Sequence, residues 1–129
     1  MGFAMAVAMR EGLDALEART RLFAIDVVRL TKQLHQQPAL WDASRQVSRA
    51  ACSVAVNHRA MRRARSTREF AAKLQIVNEE IDEAGSWLSL LTDLADDPPS
   101  SLATALNEAH ELRAIFARAR ATTRRRLSQ

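Results

Sequence analysis

One apolar pattern limits the folds open to this chain more than any other feature. Between residues 70 and 95, apolar side chains recur at alternating steps of four and three residues. These are Phe70, Leu74, Val77, Ile81, Ala84, Leu88, Leu91 and Ala95. On an α-helix this spacing keeps them on one stripe that faces a neighbouring helix. Ser66 and Glu69 stand just before the stripe in the order of a capping box, so we predict a helix over residues 67–95.

Three further segments carry a similar apolar stripe. They predict helices over residues 12–36, 42–64 and 102–125. Pro38 ends the first helix because its ring clashes with a continuing turn, and Asp42 is the predicted N-cap of the second. Residues 1–11 are predicted either to extend the first helix or to be disordered.

The composition agrees with an all-helical fold. The chain has 129 residues, enough for one domain, and only three Gly and three Pro, too few for the turns of a many-stranded protein. The connections between the predicted helices are short, which favours antiparallel neighbours. We therefore predict a single all-α domain over residues 1–129, an antiparallel up-down-up-down four-helix bundle.

The sequence predicts a cytoplasmic protein with no membrane partner. No apolar run approaches the roughly 20 residues that a membrane span needs. Cys52 is the only cysteine, so no disulfide can form within the chain, as expected in a reducing compartment. We expect Cys52 to be a buried structural thiol.

Acidic and basic residues are strongly segregated along the chain. The net charge is +4, but residues 44–73 carry eight bases and one acid, residues 74–111 carry nine acids and no Lys or Arg, and residues 112–129 carry six Arg and no acid. Guanidinium groups grip phosphate with two parallel hydrogen bonds. The predicted contacts to RNA or DNA are Arg59, Arg62, Arg63, Arg65, Arg68 and Lys73, assisted by Arg118, Arg120, Arg124, Arg125 and Arg126.

Two other interpretations of the charge remain open. Basic residues at a helix C-terminus complement the helix dipole. They can also pair with the acidic third helix of a second copy, which would make the protein an interaction scaffold whose charge segregation serves only self-assembly.

No pattern in the sequence predicts catalysis. Carboxylate-bridged metal sites in bundles need Glu three residues before His, and Lys32, Ala55 and Asn107 occupy those positions. His58 falls on the apolar stripe, where we expect a packed, hydrogen-bonded side chain. We predict neither an enzyme nor a cofactor or metal site.

The third helix has more apolar surface than one bundle needs. Ile76, Trp87, Leu90 and Leu94 widen its apolar arc beyond the core stripe. A wide exposed arc predicts oligomerisation, since a monomer would leave an apolar patch in water.

Two motifs within residues 46–91 resemble a known family. Residues matching Q-L-x-R-A-A-x-S-I-x-x-N are Gln46, Val47, Arg49, Ala50, Ala51, Ser53, Val54 and Asn57. Residues matching R-S-x-x-E-F are Arg65, Ser66, Glu69 and Phe70. The pattern resembles the four-helix bundle proteins of the rRNA intervening-sequence family, although the Pro-Ala-Asn-Ile-Ala-Glu-Gly run of many members is absent.

The resemblance has implications of its own for assembly and partners. It implies a homopentamer and a link to nucleic acid. A related protein, the accessory variability determinant of diversity-generating retroelements, binds a reverse transcriptase and nucleic acid, so a reverse transcriptase is a further expected partner.

Overall fold

Four long helices make up almost all of the protein. The computed structural model describes residues 2–128, apart from the side chains of residues 5, 6 and 9. The helices are α1 (Phe3–Gln33), α2 (Trp41–Arg62), α3 (Thr67–Leu94) and α4 (Ser100–Leu127), and a short 3-10 helix, Pro38–Leu40, precedes α2. Residues 2–128 contain no strand, which confirms the all-α prediction.

All four helices differ from their predicted bounds at one end or both. Helix α1 begins at Phe3 and includes residues 3–11, and it ends at Gln33, where the Leu34 N–H still bonds the Leu30 carbonyl. Helix α2 begins at Trp41, so Leu40 takes the cap position without a side-chain hydrogen bond. The predicted N-cap at Asp42 is wrong. Asp42 lies in the first turn and accepts a 2.6 Å hydrogen bond from Arg45.

The capping box at the start of α3 is half confirmed. The Ser66 hydroxyl accepts a hydrogen bond from the Glu69 N–H at 3.0 Å. The Glu69 carboxylate, however, accepts from the Arg65 N–H at 3.3 Å rather than from that of Ser66. The carboxylate is thus drawn back along the connection between α2 and α3.

The helices form an antiparallel bundle. Helix α1 packs against α2 and α4, and α3 packs against the same two, so α1 and α3 lie on a diagonal. The connections are only a few residues long, and in the last of them Asp97 has a φ of 47°, a left-handed conformation that aspartate adopts readily. This topology brings the α2–α3 connection and the C-terminus of α4 to the same end of the bundle.

The core follows the predicted stripes. On α3, Leu74, Val77, Ile81, Ala84, Leu88 and Leu91 are buried. Small residues such as Ala50 and Ala51 are fully buried on α2 and let its backbone approach its neighbours. Replacing a core leucine such as Leu88 by Ala is expected to cost about 2–5 kcal/mol, because it leaves a cavity in a close-packed interior.

Cys52 departs from expectation. Its side chain is exposed rather than buried. Ala51 and Val54 face the core, and successive helical residues differ by about 100° in direction, so Cys52 is rotated away from the stripe.

Candidate nucleic-acid interface

An open groove of about 440 Å³ lies beside the connection between α2 and α3. We call it the basic groove. Its lining residues are Val56, Arg59, Ala60, Arg63, Arg65, Glu69 and Lys73. Four of the predicted phosphate contacts therefore come together on one surface.

The connection itself places these cations. Helix α2 ends at Arg62, and the Ser66 cap starts α3 after a four-residue connection, so side chains from both helix ends face one groove. Glu69 adds one negative charge there, and its carboxylate lies 3.8 Å from the Arg65 Nε. The Arg65 side chain nevertheless remains 91% exposed, which leaves most of its donors in water.

Arg62 lies apart from the other predicted contacts. Its side chain is only 19% exposed and pairs with Asp14 at 2.7 Å and with Glu17 at 3.5 Å. Both carboxylates belong to α1, so this guanidinium ties α1 to α2. Arg62, one of the predicted phosphate contacts, is thus already engaged by carboxylates of its own protomer.

The C-terminal arginines flank the other side of α3. Arg120 and Arg124 line a second groove of about 300 Å³ together with Ala71, Ala72 and Gln75 of α3. Arg118, Arg125 and Arg126 are exposed on the last turns of α4. We call the α2–α3 connection, the first turns of α3 and the last turns of α4 the basic end of the bundle.

Most cations of the basic end have no carboxylate partner within residues 2–128. The exceptions are Arg62 and Arg65. Those without an ion pair there are Arg59, Arg63, Arg68, Lys73, Arg118, Arg120, Arg124, Arg125 and Arg126. Their charge is therefore available to an external anion.

Five of the nine acids of residues 74–111, by contrast, are paired within the protomer. Arg49 on α2 contacts Glu80 at 3.1 Å and Glu83 at 2.6 Å, and Arg113 on α4 contacts Asp82 at 3.0 Å. Hydrogen bonding from Arg49 is the main cause that lowers the pKa of Glu83. These pairs hold α3 against its two neighbours.

Helix α1 is held to α4 in the same way. Arg19 grips Glu108 with two hydrogen bonds, at 2.8 and 2.7 Å, and reaches Glu111 at 2.9 Å. Those hydrogen bonds are the main cause that lowers the pKa of the Glu108 carboxyl. The fork of two parallel bonds is the strong form of an arginine–carboxylate pair.

The described residues form no cluster of potential metal ligands. Among the described residues, no group of three or more His, Cys, Asp or Glu is placed to hold a metal ion. Within residues 2–128, neither ring nitrogen of His58 has a hydrogen-bond partner, so the expectation of a hydrogen-bonded histidine is wrong. None of the helices in that range combines the length and apolar character that crossing a bilayer requires.

A match to a family model establishes the family relationship that the two motifs of residues 46–91 indicated. The model of the 23S rRNA-intervening sequence protein family matches residues 16–118. The chain belongs to this family. The matched region includes every lining residue of the basic groove, whereas Arg120, Arg124, Arg125 and Arg126 lie beyond it.

A solved structure of a related protein agrees with the fold of this 23S rRNA-intervening sequence family member. It is a Bacteroides thetaiotaomicron protein with unknown function from the S23 ribosomal protein family, 25% identical to this chain. The similarity covers 81% of this chain and 96% of that chain, with a TM-score of 0.70. No curated protein matches the chain.

Proposed function

We propose that this protein is a non-enzymatic, cytoplasmic oligomer that binds RNA or DNA through its basic end. One observation carries the proposal: apart from Arg65, which lies 3.8 Å from Glu69, the cations of the basic groove lack carboxylate partners within residues 2–128. Five of the nine acids of residues 74–111, by contrast, are engaged in ion pairs inside the protomer. A folded protein that leaves so much positive charge on one surface offers a site for a polyanion.

The position of two arginines adds support. Basic residues at the C-terminal end of α2 or α4 complement a helix dipole, but Arg65 and Arg68 flank the N-terminus of α3, where the dipole is already positive. Glu69 in the first turn offsets part of this positive charge, and a bound external anion would offset the rest. A phosphate is the anion that both a helix N-terminus and guanidinium groups accept.

The chemistry of the groove predicts the kind of binding. Contacts to phosphate fix position and carry no direct sequence information. Binding should therefore be weakly sequence-selective and should weaken steeply with salt, with a slope of about 0.9 in log–log form for each phosphate neutralised on a duplex.

A charge-reversal experiment tests the proposal. Arg59→Glu with Arg63→Glu should reduce affinity for a labelled RNA or DNA duplex by about tenfold or more at low salt and flatten the salt dependence. The matched control is Arg21→Glu with Lys32→Glu, which makes the same change in net charge at exposed positions on α1. Equal losses in the two variants would show that only net charge matters, and no binding by the wild type would end the proposal.

The same variant separates nucleic-acid binding from a charge-driven scaffold. If the basic groove served only self-assembly, Arg59→Glu with Arg63→Glu would dissociate the oligomer, as light scattering would detect. Under the proposal the oligomer stays intact. The ion pairs of Arg49 and Arg113 with acids of α3 favour this outcome, because they use complementary charge within one protomer.

Self-association is the second part of the proposal, and we propose a homopentamer. Its support is the family resemblance, together with three exposed leucines: Leu22 (56%), Leu90 (44%) and Leu94 (53%). Ile76 and Trp87, the other members of the predicted arc, are half-buried. A reverse transcriptase as protein partner stays a prediction from the resemblance.

A further inference from the structure

A small polar pocket lies at the end of the bundle opposite the basic end, where α1 passes into α2. Its volume is about 280 Å³. We call it the stacking pocket. Its lining residues are Thr31, His35, Trp41, Ser44, Arg45 and Ser48.

Two stacked aromatic rings form one wall of the stacking pocket. The rings of His35 and Trp41 lie 5.5 Å apart between centroids and are 16° from parallel. The indole N–H donates a 2.9 Å hydrogen bond to the His35 carbonyl, which fixes the orientation of the indole. Trp41 is nevertheless 52% exposed, so the stack presents rigid aromatic surface to the solvent.

The stacking pocket also contains a buried hydroxyl without a partner. Ser44 is 8% exposed, and its Oγ has no hydrogen-bond partner within residues 2–128. Leaving a buried hydroxyl unpaired is unfavourable, so a ligand that bonds it would gain affinity. A hydroxyl can donate and accept, which suits the mixed polar edge of a nucleobase.

Arg45 places an exposed guanidinium group at the rim. It gives one N–H to Asp42 at 2.6 Å, but its side chain stays 76% exposed. Guanidinium carries five N–H donors, so several remain for a phosphate. Stacked aromatic rings, an unpaired hydroxyl and an exposed guanidinium thus occur within one small volume.

We propose that the stacking pocket binds one unpaired nucleotide. The base stacks on the His35–Trp41 pair, its polar edge bonds the Ser44 hydroxyl, and its phosphate contacts Arg45. If the nucleotide is part of a longer RNA or DNA, this inference rests on the proposed function. A free nucleotide offers the same base and phosphate to the pocket.

The two surfaces would then divide recognition between them. The basic groove has no aromatic lining residue and contacts phosphates only. Arg45 and Arg59 are separated by 14 helical residues, or roughly 20 Å along α2 at 1.5 Å per residue. A nucleic acid with a duplex part and an unpaired segment can reach both.

Two labelled RNA hairpins test the proposal, and in both a non-nucleotide linker closes the stem, so that neither has loop nucleotides. One has a blunt end, and the other has a single-stranded extension of several nucleotides. The wild type should bind the extended hairpin about tenfold more tightly, as expected for one stacked base. Trp41→Ala should abolish that advantage while keeping the affinity for the blunt hairpin. Ser44→Ala and Arg45→Gln should each reduce it, and Arg21→Gln, on exposed α1 surface, should not.

Fluorescence provides a second measurement. In Trp87→Phe, Trp41 is the only tryptophan, and adenosine monophosphate or the extended hairpin should quench its emission saturably. Ribose 5-phosphate, which lacks a base, and the blunt hairpin should not. Quenching by the mononucleotide alone, with no hairpin bound, would identify a free-nucleotide site and contradict only the proposed function.

Equal affinity for the two hairpins, together with unquenched Trp41 emission, would overturn only the proposal that the stacking pocket binds a nucleotide. Binding of the blunt hairpin would then still support the proposed function, because it depends on the basic groove.

Discussion

His58 is the residue whose surroundings differ most from what its position in the sequence indicates. Its place on the α2 stripe predicts burial, and it is fully buried, 5.6 Å from the ring of Phe116 between centroids. The sequence could not show that both nitrogens lack a hydrogen-bond partner within residues 2–128, because that depends on side chains from other helices. Burial is the main cause that lowers the pKa of His58, opposed by Glu17 and assisted by Arg62.

A lowered pKa makes stability depend on pH in a defined direction. Below the ordinary value of 6.5 the unfolded chain takes up a proton that the folded protein resists, so the free energy of unfolding falls as pH falls. Above 6.5 both states are neutral and this effect disappears. The carboxyl of Glu108, whose pKa is lowered from 4.5, contributes its own loss only at more acidic pH.

We therefore predict that His58→Leu flattens the pH dependence of stability between about pH 6.5 and pH 4.5. It should also raise the free energy of unfolding at neutral pH by about 1 kcal/mol, because two unpaired polar atoms leave the core. Urea unfolding at several pH values measures both. His110→Gln, at an exposed position, should keep the wild-type profile, and an unchanged slope in His58→Leu would exclude this histidine as its source.

At the scale of elements, apolar spacing predicts the helices better than their ends. The stripes of α1 to α4 are core positions, and burial of a continuous stripe decides where helix persists. Residues 3–11 form the start of α1, where the sequence left a helix extension and disorder both open, because those residues have helix propensity but no apolar stripe. The start of α2 depends on the 3-10 turn before it, and the sequence gives no cap for that arrangement.

Adjacent arginines at the end of α2 have different roles that follow from helix geometry. Arg62 turns toward α1 and pairs with Asp14 and Glu17, whereas Arg63, about 100° further round, lines the basic groove. Sequence spacing separates their directions but cannot say which one meets α1.

This pair provides a prediction with an internal control. Arg62→Gln should lower the free energy of unfolding by about 0.5–1 kcal/mol, since the carboxylates it pairs with are partly exposed, and should leave duplex affinity nearly unchanged. Arg63→Gln should reduce duplex affinity and leave stability unchanged. Urea unfolding and fluorescence anisotropy measure the two effects. An affinity loss as large in Arg62→Gln as in Arg63→Gln would contradict the assignment.

At the scale of the whole molecule, antiparallel packing gathers the basic segments of the chain at one end of the bundle. Short connections predict that residues 59–73 and 118–126 share one end, and the structure places cations of both segments in grooves lined by the first turns of α3. The pairing of Arg19 with Glu108, 89 residues away, could not be predicted, because it depends on which faces of α1 and α4 meet. The stacking pocket was missed for the same reason.

Leu22 and the Leu90–Leu94 pair lie on separate faces of the molecule, and this determines the type of assembly they permit. Leu22 borders the groove between α1 and α4, while Leu90 borders the groove between α3 and α4. If the Leu22 face of one copy contacts the Leu90–Leu94 face of the next, the contact is heterologous, and such contacts form a ring when the rotation between successive copies closes.

We predict that Leu22→Glu and Leu90→Glu with Leu94→Glu each dissociate the oligomer, as measured by light scattering, because a charge cannot be buried unpaired in an apolar contact. Val56→Glu, at an exposed position on α2, should leave the oligomer intact. Mixing the two dissociated variants should restore one junction only, since each retains the face that the other lacks, and should therefore yield dimers and no larger species. Recovery of the full oligomer in the mixture would instead require a second interface on other surfaces.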